Sequence, residues 1–343
     1  MRQSRPASHR APLLHDLDGI QTGHTASHVP LHPVASRVRP MPERHVLGRG
    51  RDRRFGLPQF FVDIDGIQTA FADSGVPAGV PIETPLLFVH GLAGNVAHWV
   101  EVAPAFAANR RVLAVDLPGH GETDRTPGRY SIESYVRHVT GLLDSLGIDR
   151  AHIVGHSMGG MVSLASAIRA PDRIASAVLV NPAGMGRLPA WARVGGRVVI
   201  RKSVLDRILP RIWKRGILAN VFFEKNAHTQ AFIHTVESTY DMSQAHELVK
   251  DISTLMQDLR HDLLERDYAT LLGSIGVPIG VIWGEKDRLV PAPLLREAAR
   301  RLPNVQVEEI PRCGHMPNIE RPERVRAFIE AHLARVARLG STN

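Results

Sequence analysis

A single cysteine, Cys313, stands among the 343 residues, so no internal disulfide can staple the chain, and cysteine usage gives no pointer to an oxidising compartment. Long hydrophobic runs are also missing. No stretch reaches the roughly 20 apolar residues that span a bilayer, and no integral membrane span is expected. The N-terminus lacks the apolar central run of a secretory signal, and Asp16 and Asp18 sit badly in a transit peptide, so a cytoplasmic location is expected. There is no H-E-x-x-H pair, no phosphate-loop sequence and no cysteine cluster, and the chemistry is expected to need neither metal nor cofactor.

What is present is unevenly distributed. Net charge is +8 at pH 7, and residues 1–54 hold ten arginines against only Asp16, Asp18, Glu43 and Asp52. The remainder is close to balanced, which offers no phosphate-binding face and argues against a nucleic-acid partner. With repeated prolines, six histidines and no periodicity, residues 1–54 have the composition of a disordered basic tail. One motif occurs twice: DLDGIQT at 16–22 and DIDGIQT at 63–69. The second copy lies between apolar stretches and predicts a β-hairpin turning on Asp65-Gly66. Neither copy continues as a calcium loop.

From Gln59 onward, short apolar runs alternate with amphipathic segments. Strands are expected at 85–89, 111–115, 151–155 and 174–180, with helices at about 98–109, 131–147 and 158–170. Such alternation means crossover units and a mostly parallel sheet covered on both faces, an α/β doubly wound architecture. The alternation stops at NPAG (181–184). A helical pattern then runs to about 271, with Leu248, Ile252, Leu255, Met256, Leu259 and Leu263 along one face. Strands return at 277–283 and 305–310, with helices near 292–302 and over 321–339.

The stretch AHIVGHSMGG (151–160) places Ser157 between a strand and a helix in the pattern G-x-S-x-G. Glycines flank the serine because the tight turn strains the backbone and brings residues two positions away into collision. A serine hydroxyl needs a base to take its proton and a carboxylate to orient that base, in the order serine, acid, histidine on this architecture. His315 lies in a loop before the last helix, and the preceding strand leads to WGEKD with Glu285 and Asp287. Asp287 is preferred, since its place after Gly284 lets it turn back toward the histidine. His156 adjoins the serine and is expected to point away from it. Asn181 cannot carry the charge of a substitute acid. The backbone N–H groups of Leu92, in VHGLAG (89–94), and Met158 are expected to face an oxyanion across the serine.

VHGLAG, DLPGHGETD (116–124), GHSMGG, WGEKD and GHMPNIERP together resemble the α/β-hydrolase superfamily over about residues 59–343. Within it the chain is similar to lidded esterases and lipases, and to the carbon–carbon bond hydrolases of aromatic ring cleavage, in which a stretch like NPAGMG often opens the lid. The serine departs from epoxide hydrolases and haloalkane dehalogenases, which use an aspartate there. The resemblance implies a core of 55–184 and 272–343 with an inserted helical lid at 185–271. It implies a serine hydrolase acting on carboxylic esters, with carbon–carbon or thioester hydrolysis, perhydrolysis or a ligand-binding receptor as alternatives. The lid must line a pocket over Ser157, and Trp191, Trp213, Phe222 and Phe223 are its available large apolar groups. Leu205, Leu209, Ile212 and Trp213 fall at helical spacing, and nine basic residues from Arg187 to Arg215 face only Asp206, which suggests weak contact with an anionic interface. Oligomeric state has no signature in the sequence.

Overall fold

A computed structural model describes residues 38–40, 56–79, 83–212, 221–239, 245–303 and 305–340. Among these, nine strands form one sheet in the order β1-β2-β3-β5-β4-β6-β7-β8-β9. The strands are β1 (Val38–Pro40), β2 (Gln59–Ile64), β3 (Ile67–Asp73), β4 (Leu86–Val89), β5 (Val112–Val115), β6 (Ala151–His156), β7 (Ile174–Val180), β8 (Ile279–Gly284) and β9 (Gln306–Ile310). The first three are antiparallel neighbours, and β3 joins β5 antiparallel; β5, β4, β6, β7, β8 and β9 run parallel. The hairpin expected at Asp65-Gly66 is there, with φ of 53° and 81° as a tight two-residue turn requires. Within the segment expected to be a tail, Val38–Pro40 pair with Phe60–Val62 of β2; the rest of 1–54, including the first DLDGIQT copy, lies outside the described residues.

Alternation along the central strands sends side chains to two cores. Leu87 and Val89 of β4 and Leu113 and Val115 of β5 enter the first, with Tyr135, Leu142, Met161 and Leu164 of helices α1 (Ile132–Ser145) and α2 (Met158–Arg169). Leu86, Phe88, Val112 and Ala114 enter the second, with Trp99, Phe106 and the last helix. Ser131 caps α1: its hydroxyl accepts from the Ser134 N–H, and Ser134 reaches back to the Ser131 N–H.

The helix expected over 98–109 is not formed. Two short 3₁₀ turns, Val96–Trp99 and Ala103–Phe106, stand there instead. Pro104, the second residue of the second turn, has no N–H to extend a helix through the segment from the first. The other expected elements form with boundaries moved by a few residues.

Between β7 and β8 the described chain is helical: α3 (Ala190–Val199), α4 (Lys202–Ile212), α5 (Ala227–Thr239), α6 (Ala245–Asp258) and α7 (Arg260–Glu265). After β8 come α8 (Ala292–Ala299), α9 (Pro317–Glu320) and α10 (Pro322–Gly340). Of the stripe read over 248–263, Leu255 and Leu259 join the first core, while Ile252 packs with Ile200, Leu205, Val249 and Leu264 in a separate cluster. Ala93, next to Leu92, is a partly buried neighbour of that cluster, so apolar surface from the insertion reaches the loop after β4. Leu248, Leu209 and Ile212 have side chains outside the described set, and Trp213 lies outside it altogether. No described helix is long and apolar enough to cross a membrane.

Candidate active site

Strand β6 hands over to α2 through one residue, Ser157, at φ 54° and ψ −115°, a conformation that non-glycine residues rarely adopt. Backbone bonds hold it there. Its N–H donates to the Val180 carbonyl at 2.9 Å, and its carbonyl accepts from the Met161 and Ala183 N–H groups at 3.1 Å. The flanking glycines are sterically required. A Cβ on Gly155 would stand 2.1 Å from the Gly159 carbonyl oxygen, and one on Gly159 would stand 2.3 Å from that of Val89. The close approach of three backbone segments thus explains the motif's spacing.

His315 follows β9 in the loop opened by Gly314. Its Nε2 lies 2.9 Å from Ser157 Oγ, and its Nδ1 lies 2.7 Å from Asp287 Oδ2. Asp287 and His315 are buried, at 9% and 5% exposure, so the pair is shielded from competing water. Burial pushes the Asp287 carboxyl upward, yet the His315 hydrogen bond and charge, with the Val290 N–H and Asn181, outweigh it and hold the group below the usual carboxylate range. Oδ1 of Asp287 accepts the Leu289 and Val290 N–H groups at 2.7 and 3.0 Å. Glu285 faces outward, accepting the Arg312 N–H at 3.3 Å and pairing with Lys286 at 3.0 Å.

Two residues that charge and position alone passed over also sit in this network. Asn181, at the end of β7, donates from Nδ2 to Asp287 Oδ2 at 2.5 Å and accepts the Gly284 N–H at 3.2 Å. It therefore ties two strand ends to the acid. His156, expected to point away from Ser157, turns its Nε2 to the His315 carbonyl at 2.7 Å. Rings continue from His315 through His156, His98 and His90 to His120 with centroids 4.8–6.3 Å apart. Burial, the largest cause in each case, lowers His156 to about 3 and His90 to about 4, and holds His98 and His120 well below the ordinary imidazole value. These four rings are neutral near pH 7.

The two residues expected to donate N–H groups, Leu92 and Met158, each stand next to a residue at the serine: Leu92 follows Gly91, and Met158 follows Ser157 itself. Gly91 abuts it, since a Cβ there would be 3.2 Å from the Ser157 Cβ. The Gly91–Gly94 turn closes through the Gly94 N–H, and Leu92 lies inside that turn without donating to it. Met158 is the first residue of α2, where an N–H has no intrahelical acceptor. The apolar candidates are scattered by comparison. Phe222 is buried beside Met316 and Ile319, next to the His315 loop; Phe223 is 39% exposed, with Arg312 over its ring; Trp191 is 79% exposed on α3.

A parallel sheet carrying a strained serine after a central strand, with a buried acid and histidine at later strand ends in hydrogen-bond contact with it, points to a hydrolase class. A profile described as the alpha/beta hydrolase family matches residues 86–328, and the chain belongs to that family. The chain is 33% identical over 253 residues to a dihydrolipoyllysine-residue acetyltransferase component of an acetoin cleaving system from Pseudomonas putida, covering 73% of this chain but only 64% of that relative. It is 29% identical over 270 residues to a 2-hydroxy-6-oxo-2,4-heptadienoate hydrolase from Pseudomonas putida, covering 74% of this chain and 88% of the relative. A thermophilic esterase from Thermogutta terrifontis superposes with a TM-score of 0.64 at 26% identity, covering 80% of this chain and 97% of the esterase.

Proposed function

We propose that the protein is a serine hydrolase that cleaves carboxylic esters of apolar acyl or aryl groups. The observation that carries this reading is the run of two hydrogen bonds, 2.9 and 2.7 Å, from Ser157 through His315 to Asp287. As Ser157 Oγ attacks the ester carbonyl, His315 Nε2 takes its proton, and Asp287 stabilises the resulting imidazolium while fixing the tautomer. The N–H groups of Leu92 and Met158 receive the charge that develops on the carbonyl oxygen. His315 returns the proton to the leaving alcohol, then activates water to release the acyl group from Ser157. Asn181 holds Asp287 in place.

Residues 185–271 act as the lid, and 55–184 with 272–343 as the core. The apolar cluster of Ile200, Leu205, Val249, Ile252 and Leu264 reaches Ala93, beside the proposed oxyanion donors, and supports an apolar acyl or aryl preference. The named hydrolase relative favours one second reading, hydrolysis of a carbon–carbon bond in a ring-cleavage product by the same residues. Turnover of p-nitrophenyl esters against a 2-hydroxy-6-oxo-dienoate, with fluorophosphonate labelling of Ser157, separates the two. Labelling without ester turnover would move the assignment to carbon–carbon cleavage, and absence of labelling would remove the serine mechanism.

The lid also supports weak contact with an anionic membrane surface. Trp191, Val194 and Val198 lie at i, i+3 and i+7 on α3 with 79%, 59% and 50% exposure, and Arg187, Arg201 and Lys202 are exposed nearby in the chain. Co-sedimentation with anionic vesicles that drops at least tenfold in Trp191→Ala, with little binding to neutral vesicles, is the expected result. Equal sedimentation of the two proteins would refute the contact.

A further inference from the structure

Glu320, the last residue of α9, is fully buried, and no step of the proposed reaction uses it. Its carboxylate accepts three backbone N–H groups from two separate segments. Oε2 takes Gly314 at 3.0 Å and Phe223 at 3.1 Å; Oε1 takes Glu224 at 2.9 Å. Gly314 immediately precedes His315, whereas Phe223 and Glu224 lie between helices α4 and α5 of the insertion. Further bonds run between the same two segments. The His315 N–H donates to the Val221 carbonyl at 2.7 Å, and Asn226 Nδ2 donates to the Glu320 carbonyl at 2.7 Å. Gly314 is a glycine for this reason: a Cβ there would stand 2.6 Å from the Val221 oxygen and 2.7 Å from the Phe223 nitrogen. Outside, Glu224 pairs with Arg312 and Arg321.

The main chain of His315 is therefore fixed from two sides. His156 grips its carbonyl from the sheet, and the insertion grips its N–H. We infer that Glu320 is a positioning residue that couples the seat of the insertion to the alignment of His315 with Ser157. This inference rests on the proposed roles of those two residues. The insertion segment at 221–226 and the His315 loop share a single buried acceptor, so a shift of one displaces the other. A misplacement on the order of 1 Å at a reacting group lowers rates by about 10²-fold.

Glu320→Gln tests the coupling almost without changing volume. An amide has one acceptor oxygen, so its NH₂ must face either the Glu224 N–H or the pair from Gly314 and Phe223. A soluble acetate ester is used, with rates divided by the number of sites that a fluorophosphonate labels. The expected result is a kcat per labelled site about 10- to 100-fold below wild type, with KM within twofold. Phe328→Leu, in the second core and making none of the Glu320 hydrogen bonds, serves as a destabilised control and should retain kcat per labelled site. A folded Glu320→Gln protein with kcat within twofold of wild type would overturn the inference.

Should Glu320→Gln fail to fold, amide exchange in the wild-type protein decides instead. The Gly314, Phe223 and Glu224 amides should exchange through one common opening, with protection factors within about threefold, while exchange differing more than tenfold between Gly314 and the other two would sink the coupling. A wild-type protein that neither labels nor turns over esters removes the hydrolase reading, and the exchange comparison still stands on its own.

Discussion

In the proposed reaction Asp287 stays charged inside the protein and holds the His315 imidazole in one tautomer, and its four hydrogen bonds suit that role. Asp287→Asn should lower kcat by about 10⁴ through the wrong tautomer, whereas Glu285→Gln, directed at Arg312 and Lys286, should leave kcat within about twofold. Steady-state kinetics of the two variants checks the assignment, and reversed effects would transfer the role to Glu285. Asn181→Ala removes a hydrogen bond to a charged group, of the kind that contributes about 1.5–3 kcal/mol, so a 10- to 100-fold loss of kcat is expected. Ser157→Ala should abolish labelling and leave the unfolding midpoint near wild type, because the strain at 157 is backbone strain. Chain order and the glycines around Ser157 made Ser157, Asp287 and His315 legible as a group, and the structure brings their side chains into contact. Asn181 and His156 were not legible in those terms. Asn181 acts through two hydrogen bonds and His156 through one, all to partners more than 100 residues away, and nothing in local spacing announces that.

At the scale of elements, strong alternation located the central strands, because both faces of β4, β5 and β6 are buried and little but apolar side chains fits there. The segment 96–106 misled because its apolar spacing suits a helix while Pro104 interrupts the hydrogen bonding. Gly159→Ala tests the junction of β6 and α2. Its Cβ would meet the Val89 carbonyl at 2.3 Å, and α2 must move away from β4 to admit it. A loss of at least about 1–3 kcal/mol in urea unfolding is expected, together with slower labelling at Ser157. If the helices of 185–271 enclose an apolar pocket, each methylene added to the acyl chain should raise kcat/KM by up to about 0.8 kcal/mol, roughly fourfold. Equal rates for acetate, butyrate and octanoate esters would dispose of that pocket.

Over the whole molecule, buried histidines set the response to acid. Burial chiefly lowers His90, His138 and His332 to about 4 and His152 and His156 to about 3. The unfolded chain takes up these protons near pH 6.5 while the native state refuses them, so native stability falls as pH drops from about 6.5 toward 4. Each ring contributes on the order of 1–2 kcal/mol to that loss between pH 7 and 5, and several together rival the 5–15 kcal/mol of a typical domain. Asp287, held low, adds its own loss only below the usual carboxylate range. The urea midpoint should therefore fall steeply between pH 7 and 5, and a flat midpoint would mean that these rings are protonated in the native state.

The three-residue strand β1 has a meaning outside chemistry. It lies at the margin of the sheet and covers the free side of β2 between Phe60 and Val62. Removing residues 1–54 should leave kcat/KM on a soluble ester unchanged, since the proposed site residues all lie beyond them. The same truncation would uncover a row of unpaired N–H and carbonyl groups along β2, an invitation for a second molecule to add its own strand. Light scattering of the truncated protein should rise with concentration and time while freshly prepared samples keep full activity. The proline at the end of β1 would then be acting as a stop, ending the sheet at a residue that has no N–H to offer a newcomer.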